Sequence, residues 1–181
     1  MSDYPLYTLE NPGNSDSRVI LNCPISIPKA AGFLWNKKMM IQMNCQGYAI
    51  AQFLQPEPAK YSYAPCIEAK TFMQPEHHYY RDHPGRFFYI KDEDSGEIFS
   101  APYEPVRASL ESFSFSVGDH DIKWKILALD LCVELTLSLG VDKPVELWAV
   151  TITNTGKTKR NISVYPYFTI GYMSWLNQSA T

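Results

Sequence analysis

The fold class this sequence predicts is all-β, built from antiparallel strands. Three observations carry it: apolar and polar residues alternate with period two through the second half, clusters of Gly, Asp and Pro separate the alternating runs, and no amphipathic helix of ordinary length is present. Short strands joined by turns, with almost no helix, belong to a sandwich or barrel rather than to a parallel α/β sheet.

Taken in order, strands are expected near Arg18 to Asn22, Met39 to Asn44, Tyr48 to Phe53 and Phe87 to Lys91. Gln55 to Tyr63 carries Pro56 and Pro58, and Gln74 to Gly85 carries Pro75 and Pro84, so both read as irregular surface loops. Asp92 to Glu97 reads as a tight turn leading to Ile98, Phe99 and Ser100. Phe113, Phe115 and Val117 alternate with Ser114 and Ser116, and Ile122, Trp124 and Ile126 alternate with Lys123 and Lys125, which describes two half-buried strands. Val133, Leu135, Leu137 and Leu139 repeat the pattern against Glu134, Thr136 and Ser138. Gly118 to Asp121 and Gly140 to Pro144 supply hairpin turns. Val145 to Thr153 is apolar on both faces, as an interior strand covered on two sides would be. Asn154, Thr155 and Gly156 turn the chain, and Asn161 to Tyr172 resumes a strand. Pro166 cannot donate to a ladder, so this segment is an edge, a bulge or two short strands.

With 181 residues, 45% of them hydrophobic and 19% charged, one globular domain is the default. A formal net charge of −3 gives no cationic field for nucleic acid or an anionic membrane, and neither partner is expected. The start lacks a basic segment followed by an apolar one, and no stretch approaches the roughly 20 apolar residues that span a bilayer, so a cytoplasmic location is expected. The Asn-x-Ser sites at Asn161 and Asn177 would matter only in a secreted protein. Cys23, Cys45, Cys66 and Cys132 form no C-x-x-C pair and read as buried free thiols, with no metal or other cofactor implied. The sequence stops at Thr181 directly after a strand-like segment, which reads as a cut inside a larger protein.

No catalytic constellation stands out. His77, His78 and His83 lie among Tyr79, Tyr80, Arg81 and Asp82, but adjacent histidines on an extended strand point to opposite faces, and an aromatic surface loop is the better reading. The acidic cluster Asp92 to Glu97 has its Gly one position early for a calcium loop and Tyr103 where the twelfth-position Glu belongs. Asp92 and Glu97 as a hydrolytic carboxylate pair would need a cleft and a separation of about 5 to 9.5 Å, which a turn is ill suited to provide. Trp35, Tyr79, Tyr80, Arg81 and Trp175 are the candidate substrate-binding residues: aromatic faces stack on sugar rings while polar neighbours hold hydroxyls. Core or interdomain packing is the alternative for each aromatic.

Gly85-Arg86-Phe87-Phe88-Tyr89-Ile90-Lys91-Asp92, followed by Ser95-Gly96-Glu97-Ile98-Phe99-Ser100, resembles a motif of glycoside hydrolase family 94, the cellobiose and chitobiose phosphorylases once classed as family 36 glycosyltransferases. Pro105-Val106, Val145 to Asn154 and Arg160 to Phe168 fall in the family's order, and Gly47-Tyr48 is similar to its early Gly-Tyr strand. The resemblance implies an N-terminal antiparallel super-β-sandwich of the galactose mutarotase type, here incomplete, with a helical linker, a catalytic (α/α)6 barrel and a small β domain downstream. It further implies that inorganic phosphate attacks a β-linked oligosaccharide with inversion to release an α-sugar 1-phosphate. A single aspartic general acid in the barrel then suffices, because the nucleophile arrives as an anion, and no residue here inherits that role. Members are commonly homodimers whose N-terminal domain helps shape the neighbouring subunit's active-site entrance. Pro56 to Pro84 departs from the shorter family linkers and leaves the sugar open; relatives that process cyclic β-glucans share the sandwich. Two readings follow: a non-catalytic structural or assembly domain of a phosphorylase, or a stand-alone carbohydrate-binding or protein-interaction module.

Overall fold

The computed structural model describes residues 7–53 and 85–168, and among them it contains strands and turns but no helix. The strands are β1 Thr8–Glu10, β2 Arg18–Leu21, β3 Ala31–Trp35, β4 Met39–Asn44, β5 Ala49–Phe53, β6 Arg86–Asp92, β7 Ile98–Ala101, β8 Ser112–Val117, β9 Asp121–Ala128, β10 Leu131–Leu139, β11 Glu146–Asn154 and β12 Ile162–Phe168. They pair antiparallel in three sheets, ordered β1-β2-β8-β9-β10-β11, β12-β6-β7 and β3-β4-β5. The six-stranded sheet is one layer of a sandwich and the two small sheets face it. The all-β, antiparallel class predicted above is what the chain adopts.

Alternation decides which side chains meet between the layers. Phe113 and Phe115 of β8, Ile122, Trp124 and Ile126 of β9, and Leu131, Val133, Leu135 and Leu137 of β10 all turn inward, where they join Leu34, Ile41, Met43, Phe88, Ile90 and Phe99 in one core. Trp124 is its hub. The buried indole N–H needs an acceptor and donates to the Cys45 carbonyl 2.9 Å away. Its ring stacks on Trp148 of β11 (centroids 5.8 Å, planes 21° apart), and Trp148 in turn leans on Phe88 of the opposite layer at 5.6 Å.

Several expectations need correction. β3 was not anticipated, because its apolar residues point both ways: Gly32 and Leu34 face inward while Phe33 and Trp35 face out. Gly32 sits where a Cβ would lie 2.8 Å from Val117 Cγ2 and 2.9 Å from Ile122 Cδ1, so β3 can approach β8 and β9 only without a side chain there. The short β1 was not anticipated either. β11, expected in the sheet interior, is an edge strand among the described residues: Trp148, Val150 and Ile152 pack against the core, but Leu147 and Ala149 face outward and are exposed. The turn between β9 and β10 carries no glycine, since Leu129 and Asp130 take φ of 54° and 59°, the two positive values of a type I′ hairpin. Of the thiols, Cys45 is buried, whereas Cys23 and Cys132 are half-buried; all three are free, and Cys66 lies outside the described residues. Pro166 does sit on β12, an edge strand among the described residues, as its missing N–H requires.

Candidate functional site

The stretch from Gly85 to Ser100 is the richest in conspicuous residues, and its chemistry is visible bond by bond. It forms the hairpin β6–β7. Gly85 is required by space, since an added Cβ would overlap the Phe87 ring at 1.9 Å. The Arg86 guanidinium donates from Nε to Glu146 Oε2 at 2.9 Å and from Nη2 to Oε1 at 2.7 Å, a bidentate pair that ties β6 to β11 across the two layers. Trp148 Nε1 adds a third bond to Oε2 at 3.1 Å. Phe88, Ile90 and Phe99 point into the core.

At the end of β6, the buried Asp92 carboxylate organises the turn. Its Oδ1 accepts the backbone N–H of Asp94 at 2.9 Å and of Ser95 at 3.2 Å, and its Oδ2 accepts Arg160 Nη1. Asp92 also closes the hairpin through its backbone, donating to the Glu97 carbonyl and accepting from Gly96 N–H. Gly96 has φ +78°, which suits a residue without Cβ. Arg160 reaches on to Asp130 Oδ2 at 3.1 Å, so the β6–β7 turn, the β9–β10 turn and the lead into β12 converge on one guanidinium. The Arg160 hydrogen bond, helped by the two backbone N–H groups, holds the Asp92 carboxyl below the usual carboxylate range. Ser100 completes the motif: its hydroxyl donates to the Tyr103 carbonyl at 2.8 Å and accepts from Val106 N–H at 3.1 Å.

The same bonds show what engages each of the two carboxylates. Asp92 is committed to a turn and an arginine, while Glu97 faces solvent and, among the described residues, accepts from the Ser95 hydroxyl 3.3 Å away. The two carboxylates therefore sit in different environments, one buried on an arginine and one facing solvent. Asp92 is held below the ordinary carboxylate range by Arg160, the opposite of what a general acid needs. The role of Arg160 was invisible in the sequence, because its partners lie 68 and 30 residues away; only the side-chain geometry brings them together.

Of the five residues singled out for sugar binding, Trp35 is described and the other four, Tyr79, Tyr80, Arg81 and Trp175, lie outside the described residues, as do His77, His78 and His83. Trp35 closes β3 with 67% of its surface exposed; Phe33 is on the same outward face and Met40 lies across the β3–β4 pairing from it. Among the described residues no group of three His, Cys, Asp or Glu is placed to hold a metal ion, and no helix is long and apolar enough to cross a membrane.

Comparison with known proteins accounts for this motif. The family model for the glycosyl hydrolase 94 supersandwich domain matches residues 72–178. The chain is 57% identical over 173 residues to cellobionic acid phosphorylase of Neurospora crassa, which is 96% of this chain and 22% of that protein. It is 29% identical over 82 residues to solabiose phosphorylase of Paenibacillus borealis, covering 45% of the chain and 11% of the relative. It is 28% identical over 103 residues to N,N'-diacetylchitobiose phosphorylase of Vibrio proteolyticus, covering 54% and 13%. The chain thus spans about a fifth or less of the length of these relatives.

Proposed function

The chain belongs to the glycosyl hydrolase 94 supersandwich family, and from that premise we propose that it is the N-terminal, non-catalytic section of an inverting phosphorylase acting on a β-linked disaccharide. The observation that carries this reading is the 57% identity to cellobionic acid phosphorylase over 96% of the chain. Cellobionic acid is accordingly the first substrate to try. The conspicuous residues support a structural role: Arg86, Asp92, Gly96, Ser100, Glu146 and Arg160 all hold turns or join layers. In this reading an (α/α)6 domain downstream in the same polypeptide supplies the aspartic general acid, and inorganic phosphate attacks the anomeric carbon to give the α-sugar 1-phosphate. The sandwich serves assembly of a cytoplasmic homodimer and shapes the entrance through which the oligosaccharide passes.

A second reading, a carbohydrate-binding or interaction module, is favoured by one observation, the outward aromatic pair of Phe33 and Trp35. Intact mass and the coding region decide first, because a stop codon after Thr181 leaves only the module. The full-length protein, given phosphate and cellobionic acid, is then expected to release α-sugar 1-phosphate, and the 181-residue chain to release none. Phosphorolysis by the chain alone would overturn the non-catalytic assignment. Binding of a β-linked oligosaccharide to the chain, abolished by Trp35→Ala, would favour the module.

A further inference from the structure

Strand β12 is apolar on both faces and exposed on both. Tyr165 and Tyr167 stand on one face, paired across the ladder with Tyr89 and Phe87; Val164, Pro166 and Phe168 stand on the other, paired with Ile90, Phe88 and Arg86. All five are exposed, Tyr165 at 52%, Tyr167 at 47% and Phe168 at 62%. A two-sided apolar strand belongs where both faces are covered. The residues around it sharpen the point. Ile162 to Phe168 contains no charged side chain, and the nearby Lys91 is neutralised by its ion pair with Glu93. Tyr167 is held by stacking on Phe87 (6.0 Å, 21°) and by Tyr89 edge-on (6.3 Å, 81°). A charge-depleted, tyrosine-rich surface of fixed rings has the composition of an interface core. Pro166 has no N–H to give a further strand, so the cover packs over the faces through side chains instead of extending the ladder at that position.

We propose that both faces of β12 are covered by polypeptide beyond residue 181 of the full-length protein, with Tyr165 and Tyr167 as anchors on one side and Val164 and Phe168 on the other. This rests on the reading of the chain as one section of a longer phosphorylase. The occupant is chosen by length: the chain aligns with 22% of its 57% identical relative, so most of such a protein is available to lie against β12.

The test places a photo-cross-linking phenylalanine analogue at Tyr165, and separately at Val164, in the full-length protein. Both positions are expected to yield cross-links to peptides beyond residue 181 of the same chain. Cross-links to residues 54–84, a product of doubled mass from a second copy, or no protein cross-link at all would each overturn the proposal. Hydroxyl-radical labelling of the unsubstituted protein guards against a variant that fails to fold: Tyr165, Tyr167 and Phe168 are expected to oxidise at least about tenfold more slowly in the native than in the urea-unfolded protein, and equal rates refute the cover. Intact mass separates the two failures. A product ending at Thr181 defeats the phosphorylase reading, whereas a long protein with labelled β12 defeats the cover alone.

Discussion

Glu146→Ala removes the acceptor that joins the two layers, and the structure allows its cost to be worked out. Both partners of the Arg86–Glu146 pair are only 16% exposed. Truncating Glu146 leaves a mostly buried guanidinium with two lost charge-assisted bonds and leaves the Trp148 indole N–H without its acceptor. Breaking a fully buried pair costs about 3–5 kcal/mol; the residual exposure lets water replace part of the loss, so about 2–3 kcal/mol is expected here. Replacing both partners with apolar residues of similar size, Arg86→Met with Glu146→Leu, removes the desolvation penalty along with the attraction. Only the orphaned indole remains, at about 1 kcal/mol. The double variant should therefore be more stable than Glu146→Ala. Urea unfolding at neutral pH, followed by tryptophan emission for wild type, Glu146→Ala, Arg86→Met, Glu146→Leu and the double, gives the single cost and closes the cycle. A wild-type midpoint for Glu146→Ala, or a double variant as unstable as the sum of its parts, would refute the account.

Gly32→Ala should destabilise by about 1–2 kcal/mol through overpacking, and Val117→Ala, which removes two of the three clashing atoms, should make the added methyl markedly less costly in the same unfolding assay. Asp92→Asn should flatten the acid limb of stability. The Asp92 carboxyl is held below its ordinary value of 3.8, so its contribution is complete above that pH and is lost as pH falls through the folded value; a pH series of thermal midpoints for wild type and variant checks the sign. Among Cys23 and Cys45, iodoacetamide should modify Cys23 first. Burial alone would push the Cys23 thiol up, but the Ser26 hydroxyl and the Ile25 and Ser26 backbone N–H groups bring it below 9.0, whereas burial pushes Cys45 up to about 12. Peptide mapping after timed alkylation reads the order, and Cys45 should react only on unfolding.

The strands whose core face, and not only their existence, could be read from sequence were those whose burial is one-sided; β4, Met39–Asn44, was expected with its bounds although both of its faces are largely buried. From β8 to β10, alternating side chains carry both the strand assignment and the identity of the core face, because each strand has a wet side and a dry side. β11 was read as a strand but misplaced, since apolar residues on two faces look the same in sequence whether the second face is covered or open. β3 hid behind an apolar run in which Leu34 shares the inward face with a glycine selected by neighbours far along the chain. The β9–β10 turn hid because Leu129 and Asp130 occupy positive φ without turn chemistry; Thr155 donates both its N–H and its hydroxyl to the Asp130 carbonyl and helps hold them there. The Gly85–Ser100 motif was recognised, but what it does, joining layers and fastening turns, depends on Glu146, Arg160 and Tyr103, which no local spacing announces.

The tryptophans give this fold an optical gauge of its own assembly. Trp124 is sealed in the core and stacked on Trp148, while Trp35 stands in solvent. With Trp175, outside the described residues, replaced by Phe, emission from the stacked pair belongs to a dry environment and emission from Trp35 to a wet one, so the blue and red edges of a single spectrum report on different places. Because Trp148 touches Phe88 in the facing layer, parting of the layers would disturb the pair's optical signature while leaving Trp35 silent, and a ligand resting on Trp35 would do the reverse.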